Sequence, residues 1–323
     1  MYIIKQIPED FLVWEIPKIK KEEEGDYAYF WLRKRDYNTI DAVRVISEKL
    51  KLPLRNFGFA GTKDKVAVTE QVISIRGITP ERAKAICEKL SFKSIDLSYI
   101  SQGKKPISLG DLRGNKFKIT VRNLPEQLEI KNLNKIPNLF GPQRFSENNI
   151  EIGKAIVKKN FKKAFDLINQ NYVKEYLEEH PGDFIGAIRQ TPLKLRKMYV
   201  NAYQSFLWNK TAEAYLKTDY SEKKTIPLIG FATEFNDNAV DEIAKDIMEE
   251  EEITQRDFII PQMPELSSEG GERELFMNLE NFDVQYSIDE LNKEKYKAIV
   301  SFALPKGSYA TVVIEQLFFF YNC

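Results

Sequence analysis

The residues best equipped for chemistry in this chain lie between Phe57 and Gly77, in the string FGFAGTKDKVAVTEQVISIRG. Asp64 stands there between Lys63 and Lys65, and Gly58 and Gly61 allow a tight loop ahead of a strand. A carboxylate with ammonium groups close by is favoured in its ionised form, which suits a nucleophile or a base, and the same lysines attract phosphates. Taken alone, a Lys-Asp-Lys triplet is more often a solvated turn. A second segment, NLFGPQRF at 138–145, gathers an amide, two phenylalanines, a Gly-Pro turn and an arginine. Asn138 can hydrogen-bond a carboxylate or a base edge, Phe140 can stack on a base, and Arg144 can clamp a phosphate. The plainer alternative makes Phe140 and Phe145 core residues and Arg144 half of a surface ion pair.

Other chemistries lack their donors. His180 is the only histidine and sits in the polar string YLEEHPGD, so it reads as a solvated loop residue. A multi-histidine metal site is excluded and a histidine-based triad disfavoured. Cys87 and Cys323 form no CxxC pair, which points to a reducing cytoplasm. No GxGxxG or GxxxxGK[ST] string follows a strand-like run, so neither a nucleotide cofactor nor a metal is expected. No stretch approaches the roughly 18 apolar residues of a membrane span. The opening MYIIKQIPEDFLVWEIPK interrupts its apolar residues with charges and prolines and lacks the apolar centre of an export signal.

Overall charge is balanced, with 48 Lys and Arg against 48 Asp and Glu, but residues 1–150 carry 27 basic and 19 acidic residues while 151–323 carry 21 and 29. The segment 231–290 alone has 3 basic and 18 acidic residues. A polyanion would prefer the first half; the asymmetry permits a nucleic-acid partner without requiring one.

The elements that must position these residues follow from periodicity. FLVWEI and YAYFWL alternate apolar and polar positions and read as two strands of a hairpin-like opening. DAVRVISEKL (41–50) has helical spacing through Val43, Ile46 and Leu50. VTEQVISIRG (68–77) alternates again, and Thr79 can cap a helix that starts at Pro80. FKITVR (117–122) is a further strand, and KAIVSFAL and SYATVVIEQL read as two more, joined by PKG. Between the strand-rich ends, IEIGKAIVKKNFKKAFDLI, LRKMYVNAYQSFLWNKTAEAYL and AVDEIAKDIMEEEE are helical. The expected architecture is α+β. One discontinuous domain (1–165 and 273–323) carries the chemistry, and a largely helical domain (166–272) is inserted in it.

GTKDKxAxTxQ, present from Gly61 to Gln71 with Ala67 and Thr69 in place, resembles the catalytic motif of the TruD-type pseudouridine synthases. NLFGPQRF resembles the same family's second motif. PEDFLVWEIP, LGDLRGNKFKITVR, NAYQSFLWN and LPKGSYATVVIEQL resemble further family segments, in the family's order and over nearly the whole chain. Ser146 departs from the glycine common after QRF, and 165–195 matches no family segment.

The resemblance implies a pseudouridine-synthase catalytic domain with a mixed sheet and the family's inserted domain. It makes Asp64 the essential residue, with Asn138 contacting it and Phe140 stacking on the target uracil. Lys63, Lys65, Gln143 and Arg144 are placed on the substrate. The implied reaction converts a uridine of tRNA, commonly that at position thirteen in the D-arm, or of another structured RNA, to pseudouridine without a cofactor. A monomeric cytoplasmic enzyme with no obligate protein partner is the expectation. The competing class is an RNA-binding protein or chaperone that uses the same cleft without turnover.

Overall fold

In the computed structural model, residues 1–89, 94–130, 133–145, 148–218, 224–236 and 238–318 are described, apart from the side chain of Gln143. Contacts divide the chain into two units, Met1–Ile136 with Met277–Cys323, and Pro137–Phe276. The first unit opens with β1 (Phe11–Pro17), β2 (Tyr27–Arg35), α1 (Thr39–Leu50), β3 (Phe57–Phe59), β4 (Val68–Arg76), α2 (Pro80–Lys89), β5 (Ile95–Gly103) and β6 (Leu112–Leu124). The chain leaves it within β7 (Lys135–Pro137). It then forms α3 (Asn149–Val157), α4 (Phe161–Leu167), α5 (Asn171–Glu179), α6 (Phe184–Gln190), α7 (Leu193–Leu216), β8 (Thr225–Leu228), α8 (Ala239–Glu250) and β9 (Gly271–Glu274). It returns within β10 (Phe276–Asn278) and ends with β11 (Glu280–Ile288), β12 (Tyr296–Pro305) and α9 (Ala310–Leu317).

The sheet of the first unit runs β11-β12-β6-β1-β4-β2-β5, with β3 added on β4. β1 and β4 are parallel and the other pairs antiparallel. It is the mixed sheet that the α+β expectation requires. The opening hairpin is corrected: β4 lies between β1 and β2, with Leu12 opposite Val68 and Leu32 opposite Gln71. The reason is burial. Gln71 to Ile75 are buried without interruption, so β4 takes a central position covered on both faces. α1 and α2 cover one face over Phe30, Leu32, Ile73, Ile75, Ile95 and Leu97. Asn38 caps α1 by accepting the Asp41 N–H at 2.8 Å, and Thr79 accepts the Arg82 N–H ahead of α2 at 3.3 Å.

SYATVVIEQL is also corrected, from strand to the helix α9. Ala310, Val313, Ile314 and Leu317 are buried at helical spacing. Packing of that stripe outweighs the β-propensity of its valines and isoleucine.

The second unit is largely helical and is built around the 24-residue α7. Ile152, Ile156, Val157 and Ala164 share one buried cluster with Val200, Tyr203, Leu207 and Phe258. A Cβ on Gly153 would lie 2.1 Å from the Tyr199 carbonyl, so α3 approaches α7 this closely only through glycine. Residues 137–165, expected with the strand-rich domain, therefore belong with α7, because the apolar face of α3 and α4 needs it. The division falls at 136/137 and 276/277 rather than at the expected 165/166 and 272/273. Ser146 and Cys323 lie outside the described residues.

Candidate active site

Asp64 is carried on the loop between β3 and β4, and that loop is fastened through its backbone. The Gln71 side-chain amide donates to the Gly61 carbonyl at 2.9 Å. The Thr39 hydroxyl donates to Gln71 Oε1 at 2.7 Å and accepts the Lys63 N–H at 2.8 Å. Lys34 Nζ donates to the carbonyls of Asp64 at 2.8 Å, Lys63 at 3.4 Å and Tyr37. Gln71, Thr39 and Lys34 are all buried, Lys34 at 1% exposure. Burial pushes the Lys34 ammonium down to about 8, with Lys63 adding to the shift and Asp64 opposing it. Gly58 is needed where a Cβ would lie 2.4 Å from the Ile107 carbonyl, whereas Gly61 has open space around it and an ordinary φ. The tight-loop expectation thus gives way to a close backbone approach at Gly58.

The charge arrangement around Asp64 differs from the one its neighbours suggest. Its carboxylate, with the side chain 41% exposed, pairs with Lys5 at 2.6 Å. Lys5 Nζ also lies 4.2 Å from the centroid of the buried Phe11 ring, so packing and charge together aim it. Lys63 turns inward instead, to Glu15 at 2.9 Å and Asn115 Oδ1 at 2.8 Å, in a pair whose side chains are 8% and 0% exposed. Lys65 is exposed.

Lys5, at φ +59°, sits on an N-terminal strap. Ile3 exchanges backbone hydrogen bonds with Arg122 at 3.0 and 2.8 Å. Farther along, the Ile7 N–H donates to Asp10 Oδ2 at 3.1 Å, and Arg122 Nε donates to Asp10 Oδ1 at 2.8 Å. Arg122 also bonds Asp289 at 2.8 Å and Glu290 at 3.1 Å.

The second motif lies in the other unit. Phe140 packs edge-on against Trp208, with ring centroids 5.5 Å apart. The Arg273 guanidinium lies 4.0 Å from the Phe140 centroid, and that of Arg144 5.8 Å. Asn209 clamps the Phe140 backbone from both sides, accepting its N–H at 2.9 Å and donating to its carbonyl at 3.0 Å. Asn138 is buried. Its amide donates to the Glu274 carbonyl at 3.1 Å, its Oδ1 accepts from Arg273 at 2.7 Å, and its backbone carbonyl accepts from the same guanidinium at 3.1 and 2.9 Å. Arg144 Nε donates to Ser205 Oγ at 3.1 Å. The Gln143 side chain lies outside the described residues. Arg273 is therefore the group that ties Asn138 and Phe140 together.

Lys5, Lys34, Thr39, Glu15, Arg273 and Asn209 escaped the reading of the sequence. Each meets partners far away in sequence, and even where the local string is distinctive, as in the basic run around Lys34 or the Gly-Gly pair before Arg273, nothing in it names the partner. Asn209 had a trace, since NAYQSFLWN belongs to a family-like string, though one read as support for the fold. His180 is exposed at the end of α5 and stacks on Tyr176 at 4.3 Å. Among the described residues no group of three or more His, Cys, Asp and Glu could hold a metal ion, and no helix is long and apolar enough to cross a membrane.

A family model described as tRNA pseudouridine synthase D (TruD) matches residues 2–175, 168–224 and 219–317. A protein of Methanosarcina barkeri named probable tRNA pseudouridine synthase D is 31% identical over 409 aligned residues, covering 97% of this chain and 92% of that one. The tRNA pseudouridine synthase D of Aquifex aeolicus is 29% identical over 382 aligned residues, with 98% and 97% covered. Both alignments are longer than the 323-residue chain, so these relatives carry segments that it lacks. A crystal structure of a protein of Methanosarcina mazei described as a putative tRNA pseudouridine synthase D (TruD) superposes with a TM-score of 0.81 at 29% identity, covering 97% of this chain and 92% of that one.

Proposed function

The chain belongs to the TruD family, and we propose that it is a tRNA pseudouridine synthase whose chemistry rests on Asp64 and needs no cofactor. The reaction breaks the bond from ribose C1′ to uracil N1, turns the freed base, and joins C1′ to C5, with the C5 proton released and one taken up at N1; redox state is unchanged. Three roles suit a carboxylate here: attack on C1′, attack on the uracil ring, or removal of a sugar proton. Each requires the ionised form. The observation that carries the reading is the Asp64 carboxylate itself, partly open to solvent, paired with Lys5 and mounted on a loop tied down by the buried donors Lys34 and Gln71. A site of that kind supplies a fixed anion with a counter-charge already in place.

Phe140 is assigned to stack on the target uracil, where base–aromatic stacking of ~1–3 kcal/mol offsets part of the cost of extruding the nucleotide. Asn138 is assigned the role that the family's second motif implies for its asparagine. Lys65 and Arg144, with Gln143, serve the RNA strand. Lys63, committed to Glu15 and Asn115, supports the loop from within. The proposed substrate position is the uridine thirteen of the tRNA D-arm.

The test is incubation with an unmodified tRNA transcript, followed by carbodiimide treatment and primer extension. A new stop in the D-arm is expected with the wild-type protein and none with Asp64→Asn, which keeps fold and RNA affinity. Tight binding with a stop pattern equal to the protein-free control would instead mark a binder without turnover.

A further inference from the structure

We propose that Lys34 is a positioning residue for Asp64, acting through its charged, three-donor ammonium on the backbone of the loop rather than on substrate. The inference rests on the assignment of the chemistry to Asp64 and concerns how that residue is held. A protonated lysine offers three N–H donors, and the structure gives Lys34 three carbonyl acceptors, those of Tyr37, Lys63 and Asp64. Two belong to the catalytic loop and the third to the turn that leads into α1, so one ammonium pins the loop to the end of its own strand.

A neutral amine keeps two donors and leaves one of these part-buried carbonyls without its bond. A hydrophobic side chain leaves all three bare. The charge itself also faces Asp64, which favours the ammonium, and Lys63, which disfavours it. The other ionic groups around the adjoining cavity of about 510 Å³ are Glu9 ahead of β1, Arg33 and Arg35 on β2 itself, and Asp96 on β5. Glu9 and Arg35 satisfy one another at 2.6 Å. Lys34 is thus a buried cation that joins the loop to the sheet through the loop's backbone, and its proton is lost near pH 8, well below the ordinary lysine range. That loss gives turnover an alkaline limb.

The experiment compares wild type, Lys34→Met and Lys34→Arg for single-turnover pseudouridine formation on a tRNA transcript, for tRNA affinity, and for amide hydrogen exchange of residues 61–67. Lys34→Met is expected to slow the chemical step by roughly 10- to 100-fold through misplacement of the carboxylate. Its tRNA Kd should stay within about twofold of wild type, because no phosphate contact is removed, and its loop amides should exchange faster. Lys34→Arg, which stays charged at every working pH, should keep most of the rate and lose the alkaline limb. A Lys34→Met rate equal to wild type, or loop exchange unchanged in both variants, overturns the proposal. Failure of the wild-type protein to form pseudouridine would count against the assigned reaction, while the exchange measurement would still decide whether Lys34 holds the loop. If Lys34→Met does not fold, the arginine variant's pH profile and loop exchange carry the test.

Discussion

Arg122→Met tests whether the N-terminal strap brings Lys5 to Asp64. Arg122 is buried, and its guanidinium bonds Asp10 and Asp289, which are themselves buried, while its backbone exchanges hydrogen bonds with Ile3. Methionine keeps much of the volume and removes the cation, so two buried carboxylates lose their common partner. Breaking a buried pair in this way costs ~3–5 kcal/mol. Acid should then recover part of the loss. In the wild-type protein burial pushes the Asp289 carboxyl upward, but the backbone N–H of Asn123, the Asn292 amide, the Leu291 N–H and Arg122 outweigh it and hold the group at about 2, against 3.8. A depressed carboxyl contributes stability above its unfolded value that disappears as pH falls through the folded one, here ~2 kcal/mol across that window. With the guanidinium gone, this carboxylate keeps the Asn123, Asn292 and Leu291 donors but is less favoured than before, and its protonation at low pH relieves the variant more than the wild type.

The assay is urea unfolding at neutral pH and near pH 3, followed by intrinsic fluorescence, to which Trp14, Trp31 and the buried Trp208 all contribute. The expected penalty is several kcal/mol at neutral pH and smaller by ~1–2 kcal/mol in acid. Under conditions where the variant is folded, turnover on tRNA should fall, since the strap that carries Lys5 loses its anchor on the Asp10 side while the backbone pair with Ile3 remains. An equal penalty at both pH values would refute the electrostatic account. Full turnover in a destabilised variant would refute the link to Lys5.

Phe140→Ala should lower pseudouridine formation strongly, by the ~1–3 kcal/mol of a lost base stack or more, with little change in tRNA Kd measured by filter binding. Equal losses in rate and affinity would mark the ring as scaffold. Lys34 also makes stability depend on pH: between about 8 and 10.5 the unfolded chain holds a proton that the folded chain has released, so folding stability contributed by this group rises with pH across that window. The rise amounts to ~3 kcal/mol, and urea titrations should find it in the wild type and not in Lys34→Met.

Local signals in the sequence located what local chemistry determines. The alternation of VTEQVISIRG gave β4, Thr79 and Pro80 gave the start of α2, and the spacing of Val43, Ile46 and Leu50 gave α1. Strand order was hidden, because the alternation of β1 and β2 says nothing of the third strand between them. That strand is identified only by burial on both faces. SYATVVIEQL misled for a related reason: its β-branched residues suit a strand, yet the positions that meet the core are spaced for a helix. Among the candidate residues, Asp64 and Phe140 stood out through unusual neighbours, and the groups that touch each of them did not. Lys5 is 59 positions from its carboxylate, and Arg273 is 135 from Asn138. A lysine in a lysine-rich chain carries no mark of which carbonyl it will meet.

The lysines adjoining Asp64 in sequence and in space divide their work according to burial. Lys63, next to it in the chain, is turned inward onto Glu15, and Lys34 is sealed beneath the loop. Keeping Lys34 charged at neutral pH costs the fold ~3 kcal/mol, and a buried ion pair such as Lys63–Glu15 contributes little net stability compared with apolar residues of similar volume. A loop selected for stability alone would replace both. Their presence makes sense if the demand falls on the position of the Asp64 backbone, since carbonyls held by charged donors move less than carbonyls held by water. Lys5 is then left as the cation at the carboxylate, brought from 59 positions upstream by a strap with its own buried anchor. The unused charge of Lys65 remains at the surface, where a phosphate can meet it.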